Sequence, residues 1–472
     1  MAIDARVDGG NDLSGSAVYV KGFGTWFVSG EEVVDGWLTE RDVGEGCSLS
    51  DDVLLDRLQR AAFGYFLAAF NPANGLIADT TRAGSPASIA VVGFALASYP
   101  VAVERGWMAR ADAATRTLTT LRFFWASPQS ESADATGYNG FYYHFLDMQT
   151  GRRVWQSELS PVDTTFLLAG ILTASAYFTG AAPQEIEIRQ LAGSLYRRID
   201  WPWMQNGEGA VWQGWKPQTG HLHYGWEGYS EAMLLYVLGM ASPTHPLSEN
   251  SYEKWTSTYQ WENLYGYDFL YAGPLFIHQF SQAWLDLKNL QDRFMREKGC
   301  DYFENSRRAA QIQQKYAIRN PNEFEGYSEN CWAMSAGDGP GRKTLRIDGR
   351  NRRFFGYVAR GVPYGPDDGT ITPSAMLASL PFAPEIILPA MRHVCGGYPQ
   401  IAEEYRLHNG FNPTLSGSGS QIWTSEGYFG LDQGIIILMI ENHRSQLIWN
   451  LMRACPHIKS GLRRAGFKGD WL

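Results

Sequence analysis

From residue 51 onward the chain reads as a succession of helices. Over 51–70 the apolar residues Val53, Leu54, Leu58, Ala61, Ala62, Tyr65 and Phe66 recur every three or four positions, the spacing of a helix with one buried stripe. Asp51 and Asp52 suit the positive end of its dipole. Similar patterning predicts helices over 88–104, 111–125, 161–178, 183–198 and 230–240, then 273–288, 300–319, 328–335, 373–379, 384–395, 433–453 and 458–465. The stretch 87–103 is apolar almost throughout, but Ser, Gly, Tyr and Pro100 interrupt it. It is shorter than the ~20 residues a bilayer span needs, so it is read as a helix buried on most sides and no membrane insertion is expected. Between helices lie long Gly- and Trp-rich loops at 201–228, 335–369 and 410–430. Loops beyond about 12–15 residues in a compact domain are usually functional. The pattern predicts an all-α body of stacked helical hairpins with the long loops lining one end. No fixed-period repeat supports a simple solenoid. Residues 1–50 are Gly- and Asp-rich with short aromatic and β-branched patches, which predicts an irregular or short-strand extension packed on a main domain of 51–472.

Composition narrows the chemistry. Aromatic residues make up 14% of the chain, with 17 Trp and 24 Tyr, more amphipathic rings than a core requires. Such rings suit flat, half-apolar ligands such as sugars, though any one of them can equally be packing between helices. Net charge is −9 with no run of Lys or Arg, which argues against nucleic acid and fits a neutral partner. Cys47, Cys300, Cys331, Cys395 and Cys455 are far apart, odd in number and form no CxxC unit, so neither a disulfide framework nor a zinc site is indicated. His221 and His223 are a close pair, but no HExxH accompanies them. The start, Met1-Ala-Ile-Asp-Ala-Arg, lacks the apolar run of a secretory signal, and both a cytoplasmic and a periplasmic setting stay open. Gly337-Asp-Gly-Pro-Gly341 lacks the Lys-Ser/Thr of a phosphate loop, and no Gly-x-Ser-x-Gly elbow occurs.

Three segments concentrate the distinctive residues. They are Trp226-Glu-Gly-Tyr-Ser-Glu-Ala-Met233, preceded by Trp212, Trp215 and Gly220-His-Leu-His-Tyr224; Ser157-Glu-Leu-Ser-Pro-Val-Asp-Thr164; and Ser328-Glu-Asn-Cys-Trp-Ala-Met-Ser-Ala-Gly-Asp-Gly-Pro340. Together with Gly140-Phe-Tyr-Tyr-His-Phe-Leu146, Pro243-Thr-His-Pro246, Asp367-Asp-Gly-Thr-Ile-Thr-Pro373, Leu431-Asp-Gln-Gly434 and Met439-Ile-Glu-Asn442, they resemble the bacterial glycoamylase-like domain, which includes the endo-β-1,2-glucanases of glycoside hydrolase family 144. The resemblance runs over roughly residues 51–468, in family order. It implies an (α/α)6 toroid with its cleft at one end, hydrolysis of β-1,2-linked glucan with inversion, and no metal or organic cofactor. Two loops depart from the family pattern. Gly410-Phe-Asn-Pro lacks the Asp of Gly-Phe-x-Asp-Ala-Phe-Asn, and Trp332-Ala-Met-Ser-Ala stands where Trp-Gly-Leu-Thr-Ala is usual.

Cleaving an acetal takes one carboxyl group to protonate the leaving oxygen and another to activate water. Glu231 is the candidate acid, because Trp226 and Tyr229 beside it can desolvate it and raise its pKa. It could equally complement a helix dipole from the first turn. Asp163 is a candidate catalytic carboxylate, although Ser160, Pro161 and Asp163 also fit N-cap, N1 and N3 of a capping box. Asp338, in a turn, and Asp432, before a buried helix, are the other candidate bases. Trp212, Trp215, Trp226, Trp332 and Trp423 are the candidate platforms. Tyr229, His144, Glu158 and Asp368 are the further candidate sugar contacts. Other readings use the same carboxylates for retaining transglycosylation or phosphorolysis, or keep the cleft only to bind glucan.

Overall fold

Two glycines decide how the central helices meet. Gly93 lies in the helix Ile89–Glu104 and Gly170 in Pro161–Tyr177. A Cβ on Gly170 would stand 2.0 Å from the Gly93 carbonyl oxygen, and one on Gly93 would stand 2.2 Å from the Phe166 carbonyl oxygen. Backbone touches backbone at this crossing, which only residues without a side chain allow. In this computed structural model the described residues are 49–403, 406–416 and 421–472. The expected 1–50 extension lies outside them as far as residue 48, Cys47 included.

Ile89–Glu104, Pro161–Tyr177 and Gly430–Arg444 run in one direction. At their C-terminal ends the Tyr177 hydroxyl donates to Glu104 at 2.7 Å, and Arg105 forks onto Glu441 at 2.9 and 2.8 Å. At the other end the Gly430 N–H donates to the Asp79 carbonyl at 2.8 Å and the Ile89 N–H to the His144 carbonyl at 3.2 Å. The helix Asp51–Ala68 runs oppositely against Gly430–Arg444. Its Gln59 bonds Glu441 and the Ile437 carbonyl, both at 3.0 Å, while Tyr65 packs at Gly430. The helix Ile89–Glu104 is buried continuously from Ile89 to Ala102, as its all-round apolar sequence requires. No helix among the described residues is long and apolar enough to cross a membrane.

The described residues are mostly helical, and the strands are short two-stranded antiparallel ribbons set in the connecting loops. Within 335–369, Ala336–Gly337 pairs with Val358–Ala359, and Lys343–Ile347 pairs with Arg350–Phe354. The second ribbon turns through Asp348-Gly349 with φ of 50° and 76°, the paired positive values that a two-residue hairpin turn demands.

Several predicted helices hold nearly to their ends, among them Pro183–Arg198, Ile89–Glu104 and Pro161–Tyr177. Others differ. The 328–335 segment is not helical, because Cys331, Trp332, Ala333 and Met334 thread the core in irregular backbone. There the Met334 N–H donates to Gln313 at 2.6 Å and the Ala333 carbonyl accepts from Thr372 N–H at 2.9 Å, partners a helix would have excluded. The 433–453 run breaks at Gln446, whose φ is 59°, into Gly430–Arg444 and Leu447–Ala454. The 273–288 run shortens to Leu275–Gln279 and a 3-10 turn, Ser281–Ala283.

Candidate active site

The parallel helices place a set of carboxyl groups at their N-terminal ends. Asp163 lies in the first turn of Pro161–Tyr177 and Asp432 in the first turn of Gly430–Arg444. The glycine crossing brings the entry to Ile89–Glu104, where His144 pairs, against Asp163. The His144 Nδ1 sits 3.0 Å from Glu158 and 3.6 Å from Asp163. Burial opposes a charge on this imidazole, but Asp163, Glu158 and Asp79 outweigh it and push its pKa up to about 9. His144 therefore carries a charge at neutral pH. The His144, Glu158 and Asp163 ligand atoms lie within 4.8 Å of one another, near enough for a cation. While protonated, the imidazole has no lone pair to give a metal.

Ser160 accepts from the Asp163 N–H at 3.2 Å, as the capping box predicts. The reciprocal half is absent, since the Ser160 N–H goes to the Tyr142 carbonyl at 3.0 Å. The Asp163 carboxylate instead takes the Ser160 hydroxyl at 2.5 Å and faces His144.

Glu231 does not open a helix. The helix begins at Met233, and Glu231 sits in the preceding turn with its carbonyl held by the Ser281 hydroxyl at 2.7 Å. Burial pushes its carboxyl up to about 7; its own backbone N–H works against the rise, and Asp163 adds to it. Asp432 takes the Ser374 hydroxyl at 2.7 Å and the Asn409 amide at 2.8 Å. Burial still raises it to about 6, helped by Asp79 and Asp338. Asp338 is no mere turn residue: it forms an ion pair with Arg82, and Asn409 accepts its N–H at 2.8 Å.

Sequence reasoning did not find Asp79, Arg82 or Asn409. Asp79 lies between Asp163 and Asp432 in electrostatic terms. Burial raises it to about 6, against the pull of His144 and Arg82 and with the push of Asp163. These residues sit in loops without periodicity, and their polar types suit ordinary turns, so no sequence signal marked them.

The aromatic candidates divide. Trp332 is 0% exposed and belongs to the core, which corrects its assignment as a platform. Asp368, also 0% exposed, is corrected likewise. Both its oxygens serve Arg360, at 2.7 and 2.9 Å, so none remains for a sugar. Tyr229 turns its hydroxyl inward to His278 at 3.2 Å and packs its ring on Tyr259 and Tyr302. Trp215 packs on Tyr138 and Trp203, and its backbone pairs with Leu159 at 2.8 and 3.2 Å, which fixes the neighbouring Glu158. Trp212 ties its indole N–H to the Gln205 carbonyl at 3.0 Å. Trp226 is half-buried, with an indole N–H that finds no partner. Trp423 stands half-buried opposite Asn412 in a ribbon. His221 is engaged by the Trp203 carbonyl at 3.1 Å.

Residues 223–456 match the glycoamylase family model, described as "Putative glucoamylase", a span containing Glu231, Asp338 and Asp432. A curated relative, the exo β-1,2-glucooligosaccharide sophorohydrolase (non-reducing end) of Parabacteroides distasonis, is 27% identical over 88% of this chain, and this chain spans 58% of its length. An endo-β-1,2-glucanase from Chitinophaga pinensis, solved with sophorotriose and glucose, is 26% identical with a TM-score of 0.77, covering 90% of this chain and 100% of that one. A Bacteroides uniformis structure, described in the same words as the family, is 31% identical with a TM-score of 0.79, covering 90% of this chain and 99% of that one. With that identity over nearly the whole of a solved relative, the chain belongs to the glycoamylase family.

Proposed function

We propose that this chain is a glycoside hydrolase that cleaves β-1,2-linked glucan, with Glu231 as the general acid. The observation that carries the reading is the Glu231 carboxyl, raised to about 7 by burial, with Asp163 adding to the rise. At neutral pH a large fraction of it holds the proton that a departing glycosidic oxygen needs. The β-1,2 linkage is supported by the printed activities of the Parabacteroides and Chitinophaga relatives.

For the base we favour Asp432. Asp338 meets Arg82 and Asp163 faces charged His144, whereas two neutral donors orient Asp432. Its negative charge remains available to polarise water. Trp226, half-buried five residues before Glu231, is the ring favoured as a sugar platform. The alternation of helix direction between Asp51–Ala68 and its parallel neighbours supports an (α/α)6 toroid over 51–472.

The test is incubation with linear β-1,2-glucan, following product size and, by NMR, the anomer first formed. Short β-1,2-glucooligosaccharides released with inverted configuration support the whole reading. A retained anomer, or release only with phosphate, would replace hydrolysis by inversion with transglycosylation or phosphorolysis. Binding without any product would leave a glucan-binding protein.

A further inference from the structure

We propose that Tyr357 contacts the substrate at the linkage under attack, its ring and hydroxyl standing in the opening between the carboxyl groups, fixed there by the buried Arg360–Asp368 pair. The inference rests on the reading of this site as a glucan hydrolase.

The backbone places Tyr357. The ribbon pairs Ala336 with Ala359 and Gly337 with Val358, so continuing the antiparallel register sets Tyr357 beside Asp338. Asp338 holds Arg82, and Asn409 links it to Asp432, so this ladder leads straight into the carboxylate set.

Tyr357 is nevertheless 69% exposed, and its hydroxyl makes no hydrogen bond among the described residues. Open to solvent, the ring still lies within the fields of Asp432, Asp79, Asp338 and Glu231, so it stands on the carboxylate side of the loop. Burial first, then those four carboxyl groups in that order, push the phenol up to about 12. The hydroxyl therefore stays a donor throughout the working pH range. It is bonded to none of the described residues, which leaves it free to meet a sugar hydroxyl.

The loop beneath the ring is held tightly. Arg360 forks onto Asp368 at 2.7 and 2.9 Å, and the same arginine donates to the Gly356 carbonyl at 3.2 Å and the Gly337 carbonyl at 2.9 Å. Asp368 also accepts the Phe355 N–H at 3.0 Å, and the Gly341 N–H donates to the Phe355 carbonyl at 3.0 Å. The residues on both sides of Tyr357 are thus bonded into the loop wall. With the backbone beneath it fixed, only the side chain itself is left to be ordered when a ligand binds. This also gives Asp368 a positioning role in place of the direct contact expected from sequence.

The experiment compares the full chain with Tyr357→Phe and Tyr357→Ala on β-1,2-glucan, measuring kcat, KM and Tm. Removing the hydroxyl should lower kcat/KM about tenfold, the size of one lost hydrogen bond at the reacting site. Removing the ring should cost roughly a hundredfold, with Tm unchanged in both because the side chain packs little. Variants within twofold of the parent would overturn the proposal. Should the parent release nothing from β-1,2-glucan, the substrate reading fails. The three proteins are then titrated with sophoro-, laminari- and cello-oligosaccharides by calorimetry. Tenfold weaker binding of whichever sugar the parent takes, on loss of the ring, upholds Tyr357. Unchanged affinity, or no sugar bound at all, overturns it.

Discussion

Burial raises the Glu231 carboxyl to about 7, and the same burial sets its charged form against the fold. The folded pKa lies above the ordinary carboxylate value, so the proton's stabilising contribution is complete below about 4.5 and is lost as pH rises through about 7. Glu231→Gln removes that dependence. Calorimetry from pH 4 to 8 should show the variant melting above the parent at pH 8 and the difference closing near pH 4. In turnover the same substitution should cost about 10²–10⁴-fold, the range of a lost general acid. The parent's kcat/KM should follow a narrow bell with limbs near 6 and 7, set by Asp432 or Asp79 on the acid side and Glu231 on the alkaline side. A flat profile between pH 5 and 8 would remove these groups from the reaction. His144 has the opposite charge and its own window. Raised to about 9, its imidazolium contributes fully below about 6.5 and loses that contribution as pH climbs through 9. His144→Gln should therefore melt lower than the parent at pH 6, with the deficit gone by pH 10.

Among elements, the crossing of Ile89–Glu104 with Pro161–Tyr177 sets the spacing of His144 and Asp163. Gly170→Ala would put a Cβ 2.0 Å from the Gly93 carbonyl, and the helices must part. The expected cost is roughly 1–3 kcal/mol or more, with lost activity accompanying it, measured by denaturant melts and turnover on the same preparation. A stable, fully active variant would show that the crossing does not position the site. The crossing helices were legible because an all-apolar stretch and a Ser-Pro helix start have few alternatives. The 328–335 segment was not legible, since a buried irregular run carries the same apolar residues as a buried helix turn. Its Trp332 and the distant Trp226 look alike in sequence, and only tertiary packing makes one core and leaves the other half-open. Glu231 and Asp163 were visible beside their motifs. Asp79, which enters through the Thr80↔Phe429 bridge, depends on a contact between residues far apart in the chain.

For the molecule as a whole, one end gathers helix N-termini, carboxyl groups and the long loops, and the other ties helix C-termini through Arg105, Glu441 and Gln59. The N-terminal dipole ends favour ionised carboxylates, while burial favours protonated ones. Glu231 lies outside a helix and burial carries it to about 7, whereas Asp432, in a first turn and held by two neutral donors, rises only to about 6. This division of environments is what lets one cleft hold an acid and a base at the same pH. The most direct measurement is release of oligosaccharides from linear β-1,2-glucan by the parent and by Glu231→Gln, side by side at pH 6.5. Short β-1,2-glucooligosaccharides are expected from the parent and almost none from the variant. Equal release by the two proteins would contradict that expectation, as would an inactive parent.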